Sequence, residues 1–137
     1  MAAFTIISET NTTHSSLKIL FEFLSDFKNF AAILPEDKVD NFKFIETECS
    51  FNIKGITPMK IKKVDSKPYE FVLFSSEGLA KFNFSLKAFF IGEPLQKGQC
   101  KIELMGDLNP FIKSMAEKSL INLTNTMSLK LSQLIIN

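Results

Sequence analysis

Phe82-Asn83-Phe84-Ser85-Leu86-Lys87-Ala88 places apolar and polar side chains alternately, so as a β-strand it has one wholly apolar face and one polar face. Similar runs flank it: Phe42 to Thr47, Cys49 to Lys54, Met59 to Val64, Tyr69 to Ser76 and Lys101 to Leu108, with the quoted run continuing to Ile91. Gly55 with Pro58, Ser66 with Pro68, Gly78, Gly92 with Pro94, and Gly98 punctuate them at hairpin distances, which predicts an antiparallel meander. A sheet of this kind must be covered on its apolar face. The cover is written at the end of the chain. Asn109 is a good N-cap, Pro110 suits the first helical position, and Ile112, Met115, Leu120, Leu123, Met127, Leu131 and Leu134 follow at helical spacing. A helix of about 27 residues is roughly 40 Å long, so it must cross the whole sheet.

Ahead of the meander, Phe4 to Glu9 is a short β-rich run, and Asn11-Thr12-Thr13-His14-Ser15-Ser16 offers several N-cap candidates. Leu17, Leu20, Phe21, Leu24 and Phe27 then recur at three and four residues, predicting an amphipathic helix. Phe30, Ile33 and Leu34 mark a second short helix that Pro35 ends.

With 137 residues, 45% hydrophobic and 23% charged, the chain is expected to form a single domain over residues 1–137 with a core of its own. A net charge of +1 lacks the electrostatic footprint of nucleic-acid binding, and the basic residues are all lysine, so the bidentate guanidinium fork is absent. The pair Cys49 and Cys100 is too sparse for a disulfide framework or a metal knuckle, and no apolar run is long enough to span a membrane. The expected location is therefore the cytoplasm. The outlying number is 15 Phe beside 1 Tyr and no Trp, which calls for a large aromatic interior.

This order of elements resembles the helix-grip fold of the START-like, or SRPBCC, superfamily, which includes Bet v 1-like allergens, polyketide cyclases and lipid-transfer domains. In wording, Phe23-Leu24-Ser25-Asp26-Phe27-Lys28-Asn29-Phe30 and Asp107-Leu108-Asn109-Pro110-Phe111 resemble small bacterial members. The resemblance implies an α+β fold: a curved antiparallel sheet of about seven strands wrapped around a long C-terminal helix, with two short helices after the first strand. It also implies an apolar cavity between sheet and helix that takes a hydrophobic small molecule such as a lipid, an isoprenoid or an aromatic polyketide-like compound. The plant-allergen branch carries a glycine-rich loop where this chain reads Glu46-Thr47-Glu48-Cys49, so a phosphate cradle there is not expected.

Alternate hairpin connections share one end of a meander, and here they carry Ile56, Leu79 with Ala80, and Leu108 with Phe111, a candidate cavity rim. The expected lining and rim are Ile56, Leu79, Phe82, Phe84, Leu86, Ile102, Leu104, Phe111, Met115, Leu123 and Met127. Candidate chemistry is thin. His14, the sole histidine, reads as a solvated residue of the capping cluster, which rules out a multi-histidine zinc site. Cys49 and Cys100 read as core, Tyr69 as an edge ring, and Glu46, Glu77 and Asp107 as strand-end carboxylates near the cavity boundary. No cofactor and no metal are expected, and binding is favoured over turnover. The alternatives are a cyclase- or dehydratase-like enzyme working through buried polar groups, and a co-chaperone-like interaction module with a packed core. Transient membrane contact through Leu134-Ile135-Ile136 is compatible with each reading.

Overall fold

A computed structural model describes residues 2–76, 83–108 and 110–136 of the chain. The strands are β1 (Ala2–Ile7), β2 (Asn11–Ser16), β3 (Val39–Phe44), β4 (Glu48–Ile53), β5 (Thr57–Lys67), β6 (Phe71–Ser76), β7 (Phe84–Ile91) and β8 (Lys97–Leu108). They form one antiparallel sheet in the order β1-β8-β7-β6-β5-β4-β3, with β2 also paired to β8. Helix α1 spans Leu17–Leu24, a 3₁₀ segment spans Phe27–Ile33, and helix α2 spans Pro110–Gln133. The expected helix-grip architecture is therefore present. Glu77, Leu79, Ala80, Phe82 and Asn109 lie outside the described residues.

The departures from the sequence reading have physical causes. Asn11–Ser16, expected as a capping cluster, is a strand on β8 whose inward residues Thr13 and Ser15 are buried hydroxyls. Ser16 still caps α1, accepting from the N–H of Ile19. The first helix ends at Leu24 rather than Phe27, because Asp26 starts a new segment by accepting from the N–H of Lys28. Tyr69 is not in a strand: it has φ +67 in the turn before β6, and its half-buried ring packs edge-on against Phe21 at 5.6 Å. Helix α2 has 24 residues and stops at Gln133, short of the chain end.

Register places the apolar alternation on one face. Phe84 opposes Gly106, Leu86 opposes Leu104, and Ala88 opposes Ile102, all on the side that α2 covers. Part of the phenylalanine excess is spent inside, at Phe27, Phe30, Phe51, Phe74, Phe84 and Phe90. Phe30 stacks against Phe51 at 6.2 Å and meets Phe74 edge-on at 5.3 Å, while Phe27 meets Phe74 at 5.8 Å. These rings fill the space between the sheet and the 3₁₀ segment and gain from edge-to-face geometry. On the outer face Lys87 lies over the rings of Phe71 and Phe89, at 4.3 and 4.8 Å.

Over its second half α2 is tied down by side chains of β2 and the β1–β2 turn. Ser15 Oγ donates to the Leu134 carbonyl at 2.7 Å and accepts from the Ile136 N–H at 3.1 Å. His14 Nδ1 lies 2.8 Å from the Ser132 carbonyl, so this nitrogen carries the proton. Asn11 donates to Ser128 Oγ, Ser128 donates to the Glu9 carbonyl, and Asn125 accepts from the Glu9 N–H. On the opposite flank Lys130 Nζ donates to the Leu34 carbonyl at 2.7 Å. Together these bonds close one end of the grip.

Candidate functional site

The residues expected to line a central cavity fall into two groups. Phe84 and Leu86 on β7, Ile102 and Leu104 on β8, and Leu123 and Met127 on α2 meet at the centre of the grip, each at most 4% exposed. Side chains so completely covered are packed against one another and their neighbours, so the centre is filled at their level. Ile56 is buried in the β4–β5 turn. Phe111 and Met115, by contrast, are 76% and 52% exposed. Four residues apart, they share a face of α2 that is not seated on the sheet.

The most enclosed of the open spaces among the described residues lies elsewhere, between β1 and the first half of α2. There a slot of about 250 Å³ is walled by Ala3, Phe4, Thr5 and Ile6 on one side and by Lys113, Glu117 and Leu120 on the other. At about 100° per residue, Lys113 and Met115 are on opposite sides of α2, so the slot and the exposed Phe111–Met115 face are separate surfaces. The slot is built by an omission. Gly106 pairs with both Phe4 and Phe84, and a Cβ on it would come within 2.6 Å of the Asn83 carbonyl and 2.9 Å of the Phe4 ring. Without that side chain the Phe4 ring lies down on β8 and becomes part of the floor with Ile6 and Leu120. Lys113 and Glu117 supply opposite charges at the lip.

These lining residues were not among those expected from the sequence. Ala3 to Ile6 read as a lone strand, and nothing local tells a first strand that it will pair with the last one, about a hundred residues away. The spacing Lys113, Glu117, Leu120 is a helical stripe visible in the sequence, but two of its members are charged and read as solvent-facing.

Polar chemistry inside the grip is confined to hydroxyls and thiols among the described residues. The buried polar side chains are Ser8, Thr13, Ser15, Thr57, Thr124, Ser128 and Ser132. Every buried side-chain nitrogen or oxygen described has a hydrogen-bond partner. Burial pushes the thiols of Cys49 and Cys100 up to about 12, so both are neutral at ordinary pH. Glu46 and Asp107, expected near a cavity boundary, are exposed. The described residues contain no group of three or more histidine, cysteine or acidic side chains placed to hold a metal ion, and no described helix is long and apolar enough to cross a membrane.

No protein-family model matches the chain, and no curated protein sequence matches it. Solved structures do. Norcoclaurine synthase from Thalictrum flavum superposes with a TM-score of 0.72 at 9% identity, over 96% of this chain and 85% of that one. An aromatase/cyclase from Streptomyces sp. R1128 gives a TM-score of 0.59 at 13% identity, over 94% of each chain. A Deinococcus radiodurans protein gives 0.58 at 9% identity, over 92% of this chain and 98% of that one. One structure of the Thalictrum enzyme is of its complex with dopamine and hydroxybenzaldehyde. The likeness at such low identity is one of fold. The chain has the helix-grip fold shared by a Bet v 1-like enzyme and a polyketide aromatase/cyclase.

Proposed function

We propose that this protein binds an apolar small molecule, lipid-like, isoprenoid or aromatic, at the open end of the grip. The observation that carries the reading is the slot between β1 and α2, about 250 Å³ with Phe4, Ile6 and Leu120 as its floor. The volume is just under the roughly 300 Å³ at which drug-sized pockets begin. A single ring or a short acyl segment fits, and a longer ligand leaves part of itself outside. Apolar burial, at roughly 25 cal/mol per Å², contributes part of the affinity, because the slot's walls present more polar than apolar surface. Lys113 and Glu117 at the lip orient any polar end. A fold in which one neighbour is solved with dopamine and hydroxybenzaldehyde supports the reading without naming the ligand.

The test is native mass spectrometry of freshly purified protein, with organic extraction of whatever is released. A stoichiometric apolar compound is expected, and it should be lost from Ile6→Trp, which fills the slot. A bare mass with no thermal shift across a panel of apolar compounds would reject the reading.

A second reading, an interaction module with a packed core, is favoured by one observation. The centre of the grip is filled while Phe111 and Met115 stand exposed on α2. Phe111→Ser then weakens capture of a protein partner and leaves small-molecule binding in the slot intact. The cyclase-like alternative finds no buried carboxylate or histidine among the described residues.

A further inference from the structure

The two edges of the sheet are unequally protected. Strand β3, at one edge, carries Asp40 and Lys43, and its register slips between them, where Asn41 has φ +57. Charges and a bulge are the usual devices that stop an edge from pairing. Strand β1, at the other edge, reads Ala2-Ala3-Phe4-Thr5-Ile6-Ile7, with no charge, no proline and an unbroken register against β8. The Ser8 N–H donates to the Ile102 carbonyl at 2.8 Å, which sets the alternation. The even residues of β1 face β8, and the main-chain groups of Ala3, Thr5 and Ile7 point away from it. These three residues have no partner on that side among the described residues, and Ile7 is 57% exposed.

We propose that the free edge of β1 pairs antiparallel with β1 of a second copy of this chain, about a two-fold axis at Thr5. The segment is self-complementary in that register: Thr5 opposes Thr5, and Ala3 opposes Ile7, both acceptable cross-strand pairs. The flanking helix is self-complementary as well. Lys113 and Glu117 line the same slot as Ala3 to Ile6, beside this edge. In the proposed dimer the two-fold axis reverses one α2 against the other, which allows Lys113 of each chain to meet Glu117 of its mate, the reciprocal contact an isologous interface requires. A foreign peptide strand would satisfy the main-chain groups but would not account for the reciprocal charges. The interface shares Lys113 and Glu117 with the lip of the slot, and sedimentation reads the interface separately from what enters the slot.

Sedimentation equilibrium of the full chain, from micromolar to millimolar concentration, tests the interface. The native protein should sediment at twice the mass of one chain at the upper concentrations. Thr5→Pro deletes an outward N–H without touching the β1–β8 ladder and should sediment as a monomer. Lys113→Glu and Glu117→Lys should each raise the dimer Kd roughly tenfold, and the double exchange Lys113→Glu with Glu117→Lys should restore it. The exchange series decides the matter even if Thr5→Pro fails to fold. A monomer at every concentration, a dimer indifferent to Thr5→Pro, or a double exchange that restores nothing would each overturn the proposal.

Discussion

The two halves of α2 do opposite jobs. From Leu123 onward the helix is seated: Leu123, Thr124, Met127, Ser128, Leu131 and Ser132 are buried, and Asn11, His14, Ser15 and Asn125 tie it to β2 and the turn before it. Over Pro110 to Lys118 the one buried member is Ala116, and a slot separates the helix from β1. Ala116 and Leu120, both fully buried, and Ile112, packed against the core, hold this half of the helix at a set height beside the slot. Stability and recognition are thereby divided along a single element.

Truncations on the two halves should break this comparison first if it is wrong. Leu131→Ala removes a fully buried side chain from the seated half and should cost about 2–5 kcal/mol in urea unfolding. Met115→Ala, on the open half, should stay within about 0.5 kcal/mol of the native protein. Equal costs would mean that α2 is held uniformly. Ser15→Ala should cost about 1 kcal/mol and speed amide exchange at Ile136, whose N–H it bonds, leaving the first half of α2 unchanged.

Alkaline titration sharpens the contrast further, because Cys100 is buried beside the seated half, its Sγ 3.7 Å from the Ser128 carbonyl. Burial raises the thiols of Cys49 and Cys100 from 9.0 to about 12 in the folded chain. The unfolded chain loses these protons first, so their contribution to stability is complete below pH 9 and is lost as pH rises toward 12. Urea midpoints that stay flat across that window would contradict the burial. Native protein at neutral pH should also leave both thiols unlabelled by a disulfide reagent that labels them at once in urea. A small effect belongs to His14→Ala, which removes one part-buried hydrogen bond to the Ser132 carbonyl. It should lower stability by less than about 1 kcal/mol and leave ligand affinity in the slot unchanged. A large loss of affinity would place the site at the seated end instead.

Strands with clean alternation were legible from the sequence because their period survives burial on one face, as Phe84 to Ala88 shows. Strand β2 was not legible. Its inward residues are Thr13 and Ser15, and hydroxyls satisfied by main-chain partners carry no apolar period to read. The central group of Phe84, Leu86, Ile102, Leu104, Leu123 and Met127 was found as a set, because inward faces follow from periodicity. Whether such a set encloses a hollow depends on how deep Phe27, Phe30 and Phe74 reach, and that distance belongs to tertiary packing. The slot is further still from the sequence: it needs the β1–β8 pairing, the bare backbone of Gly106 and the height of α2 together.

The irregularity at Asn41 has a consequence for assembly size. A sheet with two receptive edges propagates, each added copy offering a fresh edge, and ends as a fibre. Here the slipped register of β3 acts as a chain terminator, so growth from β1 closes after one addition. Restoring a regular, uncharged β3, by deleting Asn41 and replacing Asp40 and Lys43 with threonine, would convert a counted assembly into an open-ended one.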